Sequence, residues 1–210
     1  MGVFYFPSNF VFWKNIEKHD EIKKMFLEKI NSNTQDFSRN DKGLYNASTS
    51  YDSCSFDILS DVHPDIINEI LWKPIDEAIR EYNSYPNRRD IFFSNSIITS
   101  AWHTKYEIGG NFDFHTHYGT GVIQDNKIYT PSFSLIYILQ DENEHNSTVF
   151  IEPTQMHISS QEELESKFFT QDVPDIKEGT VIVFPSSLYH KVVPVQKPGR
   201  ITIAINVCSA

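Results

Sequence analysis

The chain has 210 residues, enough for one domain, and its 40% hydrophobic and 22% charged residues are ordinary for a globular protein and exclude a mainly disordered one. Its formal net charge of −10 argues against nucleic acid as the main partner, because binding to phosphates needs a basic surface. Two distant cysteines, Cys54 and Cys208, and no apolar run of ~18 residues argue against a disulfide framework and a membrane span, so we expect a cytoplasmic protein.

Residues 1–90 are predicted to be a mainly helical region that supports the rest of a single domain, residues 1–210. Loose alternation of apolar and polar side chains over residues 3–13 favours a strand. Residues 16–31 show helical spacing of apolar side chains and predict an amphipathic helix. Its apolar residues are Ile16, Ile22, Met25, Phe26 and Ile30.

Residues 32–53 are rich in Ser, Asn, Asp and Thr without a period, and they are predicted to be a loop. A second helix is expected to begin at His63–Pro64, because proline fits the first helical turn, and to run to Asn83. Pro74 lies inside this stretch and removes a helix hydrogen bond, so we expect a kink or break near Trp72–Lys73.

From residue 91 onward the sequence consists of short β-branched and aromatic runs, which are typical of strands. The predicted strands are residues 91–108, 131–141, 147–153, 179–185, 190–195 and 200–207. Turns are expected between strands at Gly109–Gly110, Asp141–Asn143 and Lys197–Gly199. Residues 152–178 break the rhythm and are predicted to be an insertion or lid. Helices followed by many short strands indicate an α+β protein, mainly β, whose body is a sandwich or barrel.

Two histidines, His115 and His117, are separated by one residue in a predicted strand. Because alternate residues of a strand share a face, both imidazoles are expected to point the same way, ~6–7 Å apart at Cα. Two imidazoles so placed can bind one metal ion. The same alternation predicts that Phe112 and Phe114 point to the opposite face, into a core.

A third metal ligand is expected from His190, which follows the predicted strand 179–185 and a short polar turn. This position lies at the end of a strand, where a pocket would open. The candidate metal ligands are therefore His115, His117 and His190.

Arg200 follows His190 across a predicted turn at residues 196–199. The sequence therefore predicts that strands 190–195 and 200–207 are antiparallel neighbours, which places Arg200 ~10–15 Å from His190. A dicarboxylate bound to the metal would reach this arginine, whose guanidinium suits a carboxylate. Thr202 shares the predicted face of Arg200 and would add a hydroxyl group.

Together these residues resemble the prolyl-4-hydroxylase-like branch of the 2-oxoglutarate/Fe(II) dioxygenase superfamily. The branch has a Tyr and a Gly before an H-x-D motif, then a distal His, then a Lys or Arg further along the chain. The corresponding residues here are Tyr106, Gly109, His115–Thr116–His117, His190 and Arg200.

The resemblance covers roughly residues 95–207. It implies a double-stranded β-helix, a jelly-roll or cupin-like barrel, over residues 91–207 with the N-terminal helices packed on it. More narrowly, residues 184–195 and 199–207 with the His-Thr-His motif are similar to a group of oxygenases from phages and marine bacteria.

The sequence departs from the superfamily at His117, where a carboxylate usually completes a set of two His and one Asp or Glu. Three arrangements stay open. His117 binds the metal, which gives a three-histidine face; or Asp113, on the predicted face of His115, supplies a carboxylate; or only two histidines bind. We favour the three-histidine face, because His117 occupies the expected position, and keep Asp113 in reserve.

The resemblance implies an Fe(II)- and 2-oxoglutarate-dependent dioxygenase that uses O₂, hydroxylates a substrate and releases succinate and CO₂, with no catalytic group beyond the metal centre. The distal carboxylate of 2-oxoglutarate would pair with Arg200. Tyr106, Tyr137 and Thr202 are candidate hydrogen-bond donors to 2-oxoglutarate, and Asn206 is a candidate support for His190. The substrate is left open, as a small molecule or a protein side chain.

Two alternative functions stay open. Residues 109–117 and 179–190 also resemble the two motifs of cupins, which implies a metalloprotein or dioxygenase that does not use 2-oxoglutarate. The absence of a Glu shortly after His117 and the presence of Arg200 count against it. The other alternative is a β-sandwich binding protein with a vestigial site, which predicts no stoichiometric iron.

Overall fold

The computed structural model describes residues 9–33, 37–41, 43–51, 57–85, 90–93, 96–119, 122–124, 126–143, 147–151 and 176–209. The strands in these ranges are β1 (Phe12–Asn15), β2 (Phe37–Asp41), β3 (Leu44–Thr49), β4 (Ser96–His115), β5 (Val122–Gln124), β6 (Lys127–Tyr129), β7 (Phe133–Gln140), β8 (Thr148–Phe150), β9 (Thr180–Pro185), β10 (His190–Val192) and β11 (Arg200–Ser209). The helices are α1 (His19–Ser32), α2 (Pro64–Ile67) and α3 (Lys73–Ser84), and a π-helical turn, Asn68–Trp72, joins α2 to α3. The prediction of a mainly β protein with N-terminal helices is confirmed.

The N-terminal region contains more strand than the sequence indicates. Helix α1 is present as predicted, but β1 begins only at Phe12, and residues 1–8 lie outside the described part of the chain. The prediction of a loop over residues 32–53 is wrong, because β2 and β3 form a hairpin there. Ala47 of β3 is buried and pairs with Tyr106 of β4. Sheet pairing uses backbone groups, which polar side chains do not prevent.

The second predicted helix is confirmed, with its interruption at the expected place. The side chain of His63 accepts a hydrogen bond from the backbone of Asp65 at the N-terminus of α2. The π-helical turn ends at Trp72, immediately before Lys73 and Pro74 begin α3. Pro74 has no backbone N–H to donate to the preceding turn, which explains the change of hydrogen-bond pattern.

Nine of these strands form one antiparallel sheet in the order β1-β9-β7-β11-β4-β10-β8, with β3 beside β4 and β2 beside β3, whereas β5 and β6 pair only with each other. The long strand β4 passes through Gly109–Gly110 without the turn predicted there. Gly109 donates to the carbonyl of Val195, and Val195 donates back to the carbonyl of Gly110, so pairing continues across the two glycines. Gly109 has a φ of +75° and bends the strand rather than reversing it.

Strands β10 and β11 are not the antiparallel neighbours predicted from the sequence. Both pair with β4: His190 with His115, and Arg200 with Tyr106. The chain therefore keeps one direction alongside β4 from β10 to β11. Residues 196–199 interrupt the pairing without reversing it, although Gly199 has a φ of +85°.

The curled sheet has two apolar faces. Helix α1 and the helical stretch that ends with α3 cover the outer face; among the buried residues there are Phe26, Ile70, Leu135, Tyr137 and Ile203. On the inner face, Ile138 and Phe184 of the larger part of the sheet pack with Phe150 of β8. The two ends of the sheet therefore close on each other around an interior, as in a double-stranded β-helix.

The boundaries of the domain and of its insertion stay predictions. Residues 152–175, most of the predicted insertion at residues 152–178, lie outside the described residues. The structure adds a two-stranded hairpin of β5 and β6 that the sequence analysis did not foresee. Among the described helices, none has the length and apolar character needed to cross a membrane.

Candidate metal centre

Three histidines meet where the sheet closes on itself. His115 ends β4, His117 follows two positions later, and His190 begins β10. One ring nitrogen from each lies within 4.8 Å of the other two, and no carboxylate or cysteine of the described residues belongs to this cluster. His117 and His190 are buried, and His115 is partly buried. The structure thus brings together the three residues that the sequence singles out.

In His115 and His190 a backbone carbonyl holds the Nδ1 atom, which leaves Nε2 to face the centre. Nδ1 of His115 lies 2.7 Å from the carbonyl oxygen of Asp113, and Nδ1 of His190 lies 3.1 Å from that of Leu188. Carbonyl oxygens only accept, so each Nδ1 carries the proton and each Nε2 keeps its lone pair. Nε2 of His190 is buried and has no hydrogen-bond partner among the described residues. A metal ion would satisfy such an atom.

His117 is held by side chains from β7 and β11. Its Nδ1 atom lies 2.8 Å from Oδ1 of Asn206 and 3.0 Å from Oγ of Ser134. Nδ2 of Asn206 donates to Oγ of Ser100, so the amide oxygen of Asn206 faces the imidazole and accepts a hydrogen bond from it. The expectation that Asn206 supports His190 is wrong, because its side chain contacts His117 instead.

The electrostatic environment keeps all three imidazoles neutral near pH 7. Burial, and then the nearby His115, lowers the pKa of His117 to about 3. Burial, followed by the neighbouring His115 and His117, lowers the pKa of His190 well below its ordinary value. The pKa of His115 is lowered by burial, which outweighs its hydrogen bond to Asp113. A neutral imidazole is the form that binds a metal, so little proton release need accompany binding.

A β-bulge in β4 changes which side chains share a face. His190 pairs with His115 and Val192 with Phe112, so two steps along β10 match three steps along β4. The extra residue interrupts the strict alternation of the strand. Phe112 consequently stacks on His115, with ring centroids 3.8 Å apart, and the prediction that it points to the opposite face is wrong.

The same bulge accounts for the position of Asp113, the reserve ligand. Its side chain is exposed and lies beside Gly43, whose carbonyl accepts a hydrogen bond from the backbone of Asp113. Asp113 is absent from the cluster of ligating atoms, although the described residues include it. Its contact with the site is through its backbone carbonyl, which holds His115.

Arg200 lies fully buried at the other end of the interior. Its Nη1 forms an ion pair with Oδ2 of Asp141, and its Nη2 donates to Oγ1 of Thr148 at 2.8 Å. Its Nε atom is buried and has no hydrogen-bond partner among the described residues. Burial lowers the pKa of Arg200 to about 10, against the raising effect of Tyr106, so the guanidinium is still charged at pH 7. The sequence predicts Asp141 only as a turn residue and does not indicate that Asp141 or Thr148 contacts Arg200.

Tyr106 and Thr202 lie beside Arg200 on the inner face. Tyr106 pairs with Arg200 across β4 and β11, and its hydroxyl hydrogen-bonds with Thr202 and Thr104. Burial raises the pKa of Tyr106, which the charge of Arg200 partly opposes, so the phenol is a neutral hydrogen-bond donor. Three of the four residues predicted to bind 2-oxoglutarate are therefore adjacent.

The family model described as "Putative 2OG-Fe(II) oxygenase" matches residues 100–206, just over half of the 210-residue chain. The chain belongs to the 2-oxoglutarate- and Fe(II)-dependent oxygenases. The match includes all three histidines and Arg200, which weighs against the cupin alternative. The comparison with curated proteins gives no match.

Several solved structures share the fold. HygX from Streptomyces hygroscopicus, with nickel and 2-oxoglutarate bound, has a TM-score of 0.60 at 13% identity over 97% of this chain and 84% of its own. A viral collagen prolyl hydroxylase from Paramecium Bursaria Chlorella virus-1, in its 2-oxoglutarate complex, has a TM-score of 0.54 at 14% identity over 95% and 96%. A prolyl hydroxylase from Trichoplax adhaerens, in complex with a hypoxia inducible factor peptide, has a TM-score of 0.57 at 12% identity over 95% and 83%. At these identities the likeness shows the fold, a double-stranded β-helix.

The oxygenase uses Fe(II), 2-oxoglutarate and O₂. The residues present fit the metal, since three nitrogen donors converge and the buried Nε2 of His190 lacks another partner. At metal–nitrogen distances of about 2 Å, one ion can bind all three after small side-chain movements.

Tyr137 does not join this site, contrary to the expectation from the sequence. It lies on the outer face of β7, among the residues that pack against the helices. Its hydroxyl is 2.7 Å from Nδ1 of His19 on α1. Both faces of β7 are buried, so alternation within this strand does not distinguish the inner residues from the outer ones.

Proposed function

We propose that this oxygenase hydroxylates its substrate with conversion of 2-oxoglutarate to succinate and CO₂, at Fe(II) held by His115, His117 and His190. The observation that carries the proposal is one interior with three neutral imidazoles at one end and the buried Arg200 at the other. The bound metal supplies the activation of O₂, and the chain supplies binding, orientation and exclusion of water.

The spacing of the two ends suits a short dicarboxylate. The ring centroid of Trp102 on β4 lies 5.5 Å from that of His117, which places Trp102 at the histidine end. Tyr106 follows Trp102 by four residues on the same strand and pairs with Arg200. Four residues of a strand span ~13 Å, and the side chains of Tyr106 and Arg200 shorten the remaining gap. In our proposal Arg200, Tyr106 and Thr202 bind the distal carboxylate of 2-oxoglutarate, and Tyr137 has no part.

Apolar side chains around the histidines give the site a low polarity. Phe184 and Phe150 lie 4.8 Å and 5.6 Å from the ring of His190, measured between ring centroids. Both phenylalanines are buried. We propose that they exclude water from the surroundings of His190. Exclusion of water lowers the local dielectric constant, which would strengthen electrostatic binding of the charged co-substrate.

The substrate is proposed at the level of its class. HygX has been solved with hygromycin B bound, and the Trichoplax enzyme with a peptide. We propose a substrate of one of these two kinds, a small molecule or a protein side chain, which enters beside the partly buried His115. His115 is the most accessible of the three ligands and so lies closest to the opening.

Anaerobic titration tests the proposal directly. The protein, loaded with one equivalent of Fe(II), is titrated with 2-oxoglutarate while the visible charge-transfer band of the chelate is followed. The proposal predicts a saturable band, and exposure to O₂ is then expected to yield succinate. Iron binding without a band would favour the cupin-type alternative, and no stoichiometric iron would favour the vestigial binding protein.

A further inference from the structure

Asp141 is a carboxylate that the chain itself places on the arginine expected to bind the co-substrate. Its Oδ2 atom pairs with Nη1 of Arg200, and the two side chains are 5% and 0% exposed. An arginine already neutralised by a buried carboxylate attracts a second carboxylate less strongly than a free arginine does. The pair therefore bears on how tightly the co-substrate binds.

Asp141 is held in place independently of Arg200. Its other oxygen, Oδ1, accepts hydrogen bonds from the backbone and side-chain nitrogens of Asn143 at 3.0 Å and 2.6 Å. Its backbone N–H donates to Oε2 of Glu178 at 2.9 Å, and Glu178 is in turn paired with Lys23 of α1. With these contacts outside the interior, Asp141 does not need to leave when a ligand arrives.

One nitrogen of the buried Arg200 guanidinium has no hydrogen-bond partner among the described residues. Nη1 contacts Asp141 and Nη2 contacts Thr148, whereas the buried Nε has no partner among the described residues. Tyr106, which pairs with Arg200 on the neighbouring strand, contributes a neutral phenol. A carboxylate is therefore able to contact Nε and the Tyr106 hydroxyl while Asp141 remains on Nη1.

The charges of the protein side chains differ between the two ends of the interior. Three neutral imidazoles bring no negative charge to the metal, and Asp141 brings one to the opposite end. We propose that Asp141 shares Arg200 with the distal carboxylate of the co-substrate and thereby weakens binding of the co-substrate. Affinity for the co-substrate then depends more on its contacts at the metal than on its distal carboxylate. This inference rests on the proposed role of Arg200 in binding 2-oxoglutarate.

The charge is removed with little change of shape by Asp141→Asn, which keeps Oδ1 as an acceptor for Asn143. The dissociation constant of 2-oxoglutarate is measured anaerobically on Fe(II)-loaded wild-type and variant protein by the charge-transfer band. Like charges in a buried site repel strongly, so we expect the constant to fall about tenfold. Glu142→Gln removes the adjacent exposed carboxylate and is expected to leave the constant unchanged.

A second ligand localises the effect. 2-Oxopentanoate has the same chain length and the same chelating end as 2-oxoglutarate but no distal carboxylate. Its dissociation constant is expected to be the same for wild type and Asp141→Asn. Equal tightening of both ligands, or unchanged or weaker binding of 2-oxoglutarate by the variant, would overturn the inference.

Two controls keep the result interpretable. Thermal unfolding of the metal-free protein establishes whether Asp141→Asn is folded; if it is not, Asp141→Ser removes the same charge and carries the same expectation. A wild-type protein that binds iron but gives no 2-oxoglutarate band would contradict the proposed function itself. A wild-type band with no tightening in the variant would contradict the role of Asp141 alone.

Discussion

The Oδ1 atom of Asn206 lies 2.8 Å from Nδ1 of His117 and accepts a hydrogen bond from it. Such a contact fixes the tautomer of a ligand and the direction of its Nε2 atom, and its loss commonly weakens metal binding ~10–100-fold. Asn206→Ala is therefore expected to raise the Fe(II) dissociation constant by a factor in this range. Ser100→Ala, which removes only the partner of the Asn206 amide nitrogen, serves as the control and is expected to bind iron with a much smaller loss. Equal affinities of wild type and Asn206→Ala would show that this contact does not position His117.

Arg200→Ala is expected to weaken 2-oxoglutarate binding about a hundredfold or more while leaving Fe(II) binding nearly intact. The substitution also leaves Asp141 buried without its partner, which costs about 3–5 kcal/mol of stability. The double variant Arg200→Ala, Asp141→Asn removes both charges and is expected to regain stability without regaining 2-oxoglutarate affinity. Recovery of affinity in the double variant would show that Arg200 acts only through the fold. The measurements are urea unfolding and anaerobic titration.

The metal-free protein is expected to lose stability as the pH falls below about 6.5. The pKa of His117 is about 3 in the folded protein, below its ordinary value of 6.5, so between these values the unfolded chain binds more protons. Each pH unit in this window costs about 1.4 kcal/mol for a histidine that is charged only when unfolded. Protonation of the imidazole ligands also releases the metal. We expect this release at a lower pH than the value near 6.5 that ordinary imidazoles would give.

Urea unfolding of metal-free protein between pH 7 and pH 5 measures this dependence. His117→Gln is expected to give a shallower loss than wild type. His63→Gln changes a histidine whose side chain is 69% exposed, so its loss of stability between the two pH values is expected to equal that of wild type, although loss of the contact with the backbone of Asp65 lowers the stability at both. Stability that stays constant or rises as the pH falls would contradict neutral burial of the three imidazoles.

Substitution of the two tyrosines that the sequence predicts to bind 2-oxoglutarate is expected to have different effects on the KM for 2-oxoglutarate. Tyr106→Phe removes a hydroxyl beside Arg200 and Thr202, so the KM for 2-oxoglutarate should rise while iron binding is unchanged. Tyr137→Phe removes a hydrogen bond to His19 on the outer face, which should cost about 1 kcal/mol of stability and leave this KM unchanged. A KM that rises for Tyr137→Phe and not for Tyr106→Phe would reverse the two assignments. Steady-state kinetics and thermal unfolding separate the effects.

The sequence predicts the type of each main element better than the way the elements pair. Runs of β-branched residues identify the strands, and Pro74 identifies the interruption of the second helix. The relation of β10 to β11 was missed, because Lys197–Gly199 has the composition of a hairpin turn whether or not the chain reverses. Pairing depends on β4, a distant partner that local composition does not reveal.

The candidate site shows the same limit. The three histidines and Arg200 are readable because residue type and spacing carry their chemistry. The bulge in β4 is not readable, and it decides that Asp113 is exposed while Phe112 stacks on His115. Asp141 was expected only as a turn residue, and its contact with Arg200 arises from the closure of the sheet. Such contacts depend on tertiary packing rather than on local pattern.

The iron content of two alanine variants tests most directly whether three histidines hold the metal. His117→Ala and Asp113→Ala are loaded with equal amounts of Fe(II), separated from unbound metal, and analysed for iron per chain. Because a ring nitrogen of His117 belongs to the converging cluster and the Asp113 side chain is exposed, His117→Ala is expected to lose most of its iron and Asp113→Ala to keep it. Full iron occupancy in His117→Ala together with its loss in Asp113→Ala would contradict the three-histidine centre and make Asp113 the ligand.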